Sequence, residues 1–257
     1  MNSFKNALEG LEEQFSIRID LHEELTSTND TASQGDYAHG DVIIAEHQTK
    51  GRGQRGNRWE SGAGENLTFS VVFQPNNFPI ERQFYLSKIV SLALVEALSK
   101  FGIAATIKWP NDIYIGDRKV AGILIENDLM GANLTKSVAG IGLNVNQLQL
   151  DASLPNPISL ALAKGETFDR GQVLKSYLDS LFVWFNRMDN SDLEPVDRAY
   201  SEYLYRKAGL HWFAEPFGEP FRAAIDRVLP GGELVLRRED GSCKSYLFKE
   251  VEFLIAP

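Results

Sequence analysis

The hydrophobic and polar positions divide the chain into short strands and a few helices. Short runs rich in β-branched side chains, bounded by turn residues, are typical of buried strands. The pattern predicts strands at 17–21, 41–46, 66–75, 103–109 and 137–146, and a hairpin over 113–126 that turns at Gly116-Asp117.

Two longer segments have apolar side chains at helical spacing. The segment 81–101 predicts an amphipathic helix that stops at Gly102. The segment 169–206 is also predicted to be helical, and TSTNDTASQ at 26–34 contains residues that suit a helix N-cap. The apolar positions are Phe84, Ile89, Leu92, Val95 and Leu98 in the first segment, and Val173, Tyr177, Leu181 and Phe185 in the second.

The last fifty residues change character, because predicted strands alternate there with glycine-rich turns such as Pro230-Gly231-Gly232. This pattern predicts a small C-terminal β-barrel domain over 208–257 and a main domain over 1–207. The main domain is predicted to be α+β, with a mixed β-sheet packed against helices.

Composition and charge narrow the class of protein. The net charge of −9 argues against general affinity for nucleic acid, which depends on neutralising phosphates. The single Cys243 excludes an intramolecular disulfide framework, and the four histidines lack the spacing of metal ligands. The N-terminal stretch has no apolar signal core, and the longest apolar run, at 89–98, is too short to span a bilayer. We therefore expect a cytoplasmic protein without a membrane partner.

The stretch GRGQRGNRW at 51–59 has its glycines at the spacing G-x-G-x-x-G of dinucleotide-binding loops. Such a loop directly follows a strand, opens a helix and precedes an acidic residue by about 20 positions. Here three polar residues separate the strand from the glycines, another strand follows, and no acidic residue lies between Glu65 and Glu81. The sequence therefore argues against a Rossmann fold.

Interleaved glycines and arginines favour an anion-binding loop instead. Glycines let the backbone fold tightly and expose its N–H groups, and arginines present forked donors that match carboxylate and phosphate oxygens. Trp59 adds a flat face for stacking. From the loop alone, a solvated basic loop beside a buried tryptophan explains the same residues equally well.

A second stretch, KWPND at 108–112, favours the anion site. Lys108 ends an otherwise apolar strand, and burying its charge is costly unless it meets an anion. The alternative is a surface lysine that extends its ammonium into water. RKVAGILIE at 118–126 then adds a basic pair and an Ala-Gly step that permits close approach of the backbone.

Five ordered motifs resemble those of the biotin protein ligases. They are STN at 27–29, HQTKGRGQRGNRWES at 47–61, KWPNDIY at 108–114, KVAGILIE at 119–126 and GIGLNVN at 140–146. The likeness is close over residues 20–150, and the β-rich tail fits the small C-terminal domain of that family. The resemblance implies that 1–207 is a biotin/lipoate ligase-like catalytic domain that binds biotin and ATP.

The resemblance implies a reaction in two steps. The biotin carboxylate attacks the α-phosphate of ATP to give biotinyl-5′-adenylate, and a lysine of an acceptor protein then takes the biotin. The expected acceptor is a biotin carboxyl carrier protein or domain of a biotin-dependent carboxylase. Mg²⁺ is expected to arrive with ATP, without an all-protein metal site. A homodimer and a monomer are both consistent with the sequence.

The resemblance also assigns roles by position. Lys108 and Arg52 are the expected catalytic residues. The biotin-binding residues are expected to be Ser27, Thr28, Asn29, Gln48, Gly51, Arg52, Gly53, Gln54, Lys108 and Gly122. The ATP- or adenylate-binding residues are expected to be Arg52, Arg55, Trp59, Lys119 and Asn144.

Two features depart from the family pattern. Many members have an arginine where this chain has Gln54, which brings no charge to the loop. We therefore expect retention of the adenylate to depend mainly on Arg52 and loop closure, with Arg55 and Arg58 as candidate compensating charges. The 26 residues before Ser27 are too few for the winged-helix domain that some members use to bind DNA. The sequence therefore predicts a monofunctional ligase.

Two other functions remain open at this point. A lipoate or octanoate ligase has a similar fold and also forms an acyl-adenylate, but Ser27, Thr28, Asn29 and Gln48 suit the polar ureido ring of biotin better. A non-catalytic biotin- or nucleotide-binding protein belongs to a different class. Lys108 argues against it, because simple binding requires no charge at the reacting centre.

Overall fold

The computed structural model describes residues 2–60, 62–75, 78–151 and 155–254. The helices are α1 (Asn2–Phe15), α2 (Thr28–Gln34), α3 (Phe84–Ser99), α4 (Leu160–Lys164), α5 (Arg170–Asp189) and α6 (Glu194–Glu202). The strands of the main sheet are β1 (Ile19–Leu25), β2 (Val42–Gln48), β3 (Leu67–Phe73), β4 (Phe78–Pro79), β5 (Thr106–Lys108), β6 (Asp112–Ile115), β7 (Arg118–Met130) and β8 (Asn133–Leu143).

The main sheet is mixed, as the sequence predicts. Its strand order is β1-β2-β3-β8-β7-β6-β5, and β4 pairs with β8 beside β3. β1 and β2 run parallel, whereas the other neighbours are antiparallel. The predicted hairpin turn at Gly116-Asp117 joins β6 to β7. β7 then continues to Met130 and forms a second, longer hairpin with β8.

Helices α1, α3 and α5 contact one face of the main sheet, α6 packs against α3 and α5, and all four contribute to the principal core. The prediction of an amphipathic helix over 81–101 is wrong about its outer face. α3 begins at Phe84 and is buried almost all round, because α5 and α6 cover the side that faces away from the sheet. The predicted helical segment 169–206 is divided into α5 and α6 by a break at 190–193.

α1 was not predicted, although its sequence has a helical pattern. Phe4, Leu8 and Leu11 are buried at steps of four and three residues, and the helix packs against α5 and β1. Its acidic, polar outer face is typical of a surface helix.

α2 lies on the opposite face of the main sheet. Successive strand residues alternate between faces, so Ile43 and Val72 share a second, smaller hydrophobic cluster with Ala32 of α2, whereas their neighbours join the principal core. Ser27 precedes the helix, but its side chain makes no capping hydrogen bond. At the other end of the helix, the Lys136 ammonium donates to the carbonyls of Ala32, Ser33 and Gly35 at 2.8, 3.3 and 3.4 Å.

The C-terminal segment forms a second, antiparallel sheet. Its strands are β9 (His211–Ala214), β10 (Phe221–Val228), β11 (Leu234–Arg238), β12 (Cys243–Tyr246) and β13 (Glu252–Phe253), in the order β12-β11-β10-β9-β13. In the part of the chain that the structure describes, no ladder joins β12 to β13. The proposed boundary at 207/208 stays a prediction; the first strand of this sheet begins at His211.

The second sheet docks on the turn that follows β5. The indole Nε1 of Trp109 donates to the Gly232 carbonyl at 2.8 Å, and the Trp109 ring contacts Phe248 edge-on. Across the described ranges, no helix combines the length and the apolar character needed to cross a membrane.

Candidate functional site

A cavity of about 540 Å³ opens on the face of the main sheet that carries α2. Segments distant in the sequence meet there: the start of α2, the loop 51–59, the β5–β6 turn, strands β7 and β8, and the last strand of the second sheet. The lining of the cavity includes Ser27, Thr28, Asn29, Gln48, Arg52, Gly53, Gln54, Arg58, Trp59, Lys108, Asp112, Lys119, Gly122, Gly140, Gly142, Lys249, Glu252 and Phe253.

Most of the residues singled out from the sequence therefore lie in one place, but two do not line the cavity. Gly51 is buried behind the loop, where a Cβ would come within 2.2 Å of the Trp59 carbonyl oxygen. The Asn144 amide is buried and donates to the Ile158 carbonyl at 3.1 Å. The side chain of Arg55 and the whole of Ser61 lie outside the described residues.

One side of the cavity is a polar wall made by Ser27, Thr28, Asn29 and Gln48. The backbone N–H of Thr28 donates to Gln48 Oε1 at 2.7 Å. Behind the wall, the buried Ser70 Oγ lies 2.7 Å from both Thr28 Oγ1 and Asn29 Oδ1. Because Asn29 Oδ1 is an acceptor for Ser70, the Asn29 amide nitrogen points the other way, toward the Leu124 carbonyl and Glu126.

The floor of the cavity consists of three glycines, Gly122, Gly140 and Gly142, on neighbouring strands. Gly122 and Gly142 face each other across the β7–β8 pair. A Cβ on Gly140 would stand 2.2 Å from Asn29 Oδ1, and one on Gly142 would stand 2.1 Å from Trp59 Cε2. The glycines therefore allow Asn29 and Trp59 to lie directly on the strand backbone.

The sequence did not identify Gly140 and Gly142 as site residues. The available signal was their spacing: two glycines two positions apart in a strand leave one face without side chains. The Trp59 ring lies on this floor, and its indole Nε1 is buried without a hydrogen-bond partner among the described residues. Gln54 Oε1, on the same loop, is likewise buried and unpaired there.

Arg52 lines the cavity and meets two carboxylates. Its guanidinium donates to both oxygens of Glu126 at 2.9 and 2.7 Å and to Asp30 Oδ1 at 2.6 Å. Burial acts to lower the pKa of Arg52, but the hydrogen bonds and charges of Glu126 and Asp30 raise it above its ordinary value. An anionic ligand would have to compete with these carboxylates for the guanidinium.

Two lysines enter the cavity from the β5–β6–β7 region. Lys108 Nζ donates to the Tyr114 hydroxyl at 3.1 Å and lies 5.7 Å from the centre of the Phe253 ring. Burial lowers the pKa of Lys108; Arg206 adds to this effect, while Asp112 and Glu252 oppose it. Lys119 Nζ lies 2.6 Å from Asp112 Oδ1 and 5.9 Å from the centre of the Trp59 ring, next to Gly122.

The second sheet supplies part of the cavity wall through Lys249, Glu252 and Phe253. The sequence could not assign these residues, because their position depends on how the second sheet docks on Trp109. With the polar wall, the glycine floor and the two lysines, they form a site suited to a ligand that has a hydrogen-bonding head and an anionic end.

The chain is similar to known proteins over most of its length. Residues 21–144 match the Biotin/lipoate A/B protein ligase family. The chain is 33% identical over 234 residues to the bifunctional ligase/repressor BirA of Bacillus subtilis, covering 88% of this chain and 71% of that protein. It is 30% identical over 215 residues to a biotin--[acetyl-CoA-carboxylase] ligase of Paracoccus denitrificans, covering 77% and 85% of the two chains.

Among solved structures, the biotin protein ligase of Aquifex aeolicus in complex with biotin and ATP aligns with a TM-score of 0.77 at 25% identity, covering 91% of this chain and 97% of that one. The likeness includes the main sheet and the C-terminal sheet, so the predicted fold class is confirmed. The chain belongs to the biotin/lipoate A/B protein ligase family.

Proposed function

We propose that the protein is an ATP-dependent ligase that activates biotin as biotinyl-5′-AMP and transfers it to a lysine of a biotin carboxyl carrier protein or domain. The observation that carries this proposal is the meeting, in one cavity, of the polar wall, the glycine floor and two lysines. Relatives named as biotin ligases, among them one for acetyl-CoA carboxylase, support the reaction and the class of acceptor.

In the first step a biotin carboxylate oxygen attacks the α-phosphorus of ATP. The bond from that phosphorus to the bridging oxygen breaks, and pyrophosphate leaves with its electron pair. Negative charge builds up on the phosphoryl oxygens and on the leaving group, so fixed cations nearby lower the barrier. The loss of one such electrostatic contact typically costs about 3–4 kcal/mol.

We assign this electrostatic role to Lys108 and Lys119 together. Lys119 was expected to bind ATP or the adenylate, and its ammonium lies next to the floor residue Gly122 and is paired with Asp112. Lys108, on the edge strand β5, lines the same cavity, with Tyr114 as its hydrogen-bond partner. Both ammonium groups therefore belong to the part of the lining that β5, β6 and β7 supply.

In the second step a neutral lysine amine of the acceptor attacks the acyl carbon of the adenylate. The acyl–oxygen bond breaks, AMP leaves, and the amine loses a proton as the amide forms. The polar wall would hold the ureido ring of biotin in both steps. The Trp59 ring would move off the glycine floor and cover the adenine.

Mg²⁺ would reach the site on the phosphate oxygens of ATP. Within residues 2–60, 62–75, 78–151 and 155–254, no three histidine, cysteine, aspartate or glutamate side chains form a group that could hold a metal ion. The chemistry that the ion supplies when bound is neutralisation of charge on the β- and γ-phosphates. The chain's own contribution is the pair of lysines.

Three finer expectations remain proposals. They are a cytoplasmic location, the absence of a nucleic-acid partner and the homodimer. The net charge of −9 supports the second of these. The lipoate alternative remains the second candidate for substrate, and the paired donors and acceptors of Thr28, Asn29 and Gln48 favour biotin over it.

The test is exchange of labelled pyrophosphate into ATP with biotin, with lipoate and with neither acid. Exchange that depends on biotin supports the ligase reaction and the substrate. Exchange with lipoate alone would keep the acyl-adenylate chemistry and overturn the role of the polar wall. Biotin binding without exchange would leave a binding protein and overturn the role of the two lysines.

A further inference from the structure

Glu126 joins two parts of the site without lining the cavity itself. It lies on β7, directly after Ile125. One carboxylate oxygen accepts from Arg52 Nη1 at 2.9 Å. The other accepts from Arg52 Nη2 at 2.7 Å and from the Asn29 amide nitrogen at 2.8 Å. A single side chain therefore contacts both the loop 51–59 and the polar wall.

The contact with Asn29 fixes the orientation of that amide. Ser70 Oγ at 2.7 Å occupies the oxygen of Asn29, while Glu126 and the Leu124 carbonyl accept from its nitrogen. Rotating the amide by half a turn would place its nitrogen against Ser70 and its oxygen against two acceptors. Glu126 therefore helps to determine which atom Asn29 presents to the cavity.

The contact with Arg52 ties the loop 51–59 to β7 beside the cavity. Two parallel N–H···O bonds between a guanidinium and a carboxylate fix distance and orientation better than a single contact does. Asp30 provides one further contact to the same guanidinium, at 2.6 Å. Among the described residues the Asp30 carboxylate bonds to Arg52 and not to Asn29, so Asp30 is a natural comparison for Glu126.

We propose that Glu126 is a positioning residue that couples closure of the 51–59 loop to the orientation of Asn29. We call the contacts of Glu126 with Arg52 and Asn29 the clasp. The effect on biotin rests on the proposed function, whereas the clasp is a property of the ligand-free protein. Ligand entry must open the Arg52–Glu126 contact or pass beneath it. Its re-formation then restores the orientation of the polar wall around the ureido ring.

The test compares Glu126→Gln with Asp30→Asn in the full chain. Glutamine keeps the size of the side chain but removes its charge and places a donor against the donors of Arg52 or Asn29. We expect Glu126→Gln to raise the KM for biotin by about tenfold or more while the KM for ATP changes little. Asp30→Asn, which weakens the loop contact alone, should raise the KM for biotin by a smaller factor.

A double-mutant comparison separates coupling from a local structural defect. In an Asn29→Ala background, Glu126→Gln should raise the KM for biotin by a smaller factor than in the wild type. Only the loss of the Arg52–Glu126 contact then contributes to the increase. The effect of Asp30→Asn should be the same in both backgrounds. Equal effects of Glu126→Gln with and without Asn29 would overturn the coupling.

A readout without activity tests the clasp separately. Trypsin cleaves after Lys50, Arg52, Arg55 and Arg58, and we expect Glu126→Gln to speed cleavage in this loop severalfold without ligand. Faster cleavage in a protein that shows no biotin-dependent exchange would uphold the clasp and reject the ligase. Wild-type cleavage and wild-type KM in Glu126→Gln would overturn the clasp. Glu126→Asp, which keeps the charge and shortens the reach, replaces Glu126→Gln if that variant does not fold.

Discussion

The Trp59 ring lies on Gly142, so close that a Cβ there would meet Trp59 Cε2 at 2.1 Å. The glycine in β8 and the tryptophan of the loop are 83 positions apart, so their contact joins the loop to the centre of the sheet. Any ligand that uses the same floor must share it with this ring or displace it.

We therefore expect Gly142→Ala to disturb the site while the fold persists. The added methyl would lift the Trp59 ring and narrow the cavity, lowering biotin-dependent pyrophosphate exchange about tenfold or more. Gly10→Ala is the matched control, because nothing lies within 4 Å of a Cβ there and alanine favours the helix. Unchanged exchange and unchanged tryptophan fluorescence in Gly142→Ala would contradict the packing described.

The charge of Lys119 should matter for adenylation. Lys119→Met removes an ammonium that lies beside the glycine floor, and the exchange rate should fall by about 10²–10³-fold. Lys164→Met, which removes an exposed lysine of α4, serves as the control and should retain the wild-type rate. A Lys119→Met protein with more than half of the wild-type exchange would remove this residue from the mechanism.

Lys108 gives a prediction about pH. Burial lowers the pKa of its ammonium, so the cation is lost at a lower pH than in an exposed lysine. The exchange rate should decline as pH rises through this lowered pKa, and Lys108→Arg, which stays charged, should shift the decline to higher pH. The unfolded chain holds this proton more tightly than the folded chain does. The contribution of Lys108 to stability therefore rises with pH between the two pKa values. If the exchange rates of the wild type and of Lys108→Arg decline over the same alkaline pH range, Lys108 is not the required cation.

Gln54 should be a weak point in retention of the intermediate. It lines the cavity without a charge, and its Oε1 has no hydrogen-bond partner among the described residues. We expect Gln54→Arg to release biotinyl-5′-AMP more slowly than the wild type in the absence of acceptor, measured by rapid filtration. Release from Gln54→Arg at the wild-type rate or faster would count against this role.

An ion pair between a buried lysine of α3 and a half-exposed aspartate of α6 should affect stability without affecting the site. Lys88 is 1% exposed, and its ammonium lies 2.6 Å from Asp197 Oδ1, whose side chain is 44% exposed. Asp197→Ala would leave a buried charge without its partner and should reduce the free energy of unfolding by about 3 kcal/mol. Lys88→Met should cost much less, because it removes the charge that needs the partner.

The control for this pair is Glu194→Gln on the same helix, which breaks an exposed ion pair with Arg198. Such pairs contribute about 0–1 kcal/mol, so urea denaturation should shift little. Equal losses from Asp197→Ala and Lys88→Met would show that packing, rather than charge, dominates at this position.

Local patterns predicted much of the fold and part of the site. The continuous β-branched run Val42, Ile43 and Ile44 identified a strand, and the Gly116-Asp117 turn located a hairpin, because both depend on neighbours in sequence. The outer face of α3 was misjudged, since its burial depends on α5 and α6. The contribution of Lys249, Glu252 and Phe253 depends on docking of the second sheet and has no local signal.

The site residues show the same limit at finer scale. The motif around Arg52 indicated an anion site, yet the structure pairs its guanidinium with Glu126 and Asp30, which no spacing in the sequence relates to it. Asn144 belongs to a motif that resembles the family, but the structure turns its amide toward Ile158. The motifs identified which segments of the chain come together at the site. The direction of each side chain depends on its hydrogen-bond partners in the folded protein.

The hold of Lys136 on the last carbonyls of α2 has a thermodynamic consequence at the other end of that helix. Thr28 and Asn29 stand at the start of α2, so both ends of this short helix are tied down before any ligand arrives. Thr28 and Asn29 lose their conformational entropy when the protein folds, so ordering them does not weaken the binding of a ligand. The entropy change on biotin binding should therefore reflect mainly released water and ordering of the loop.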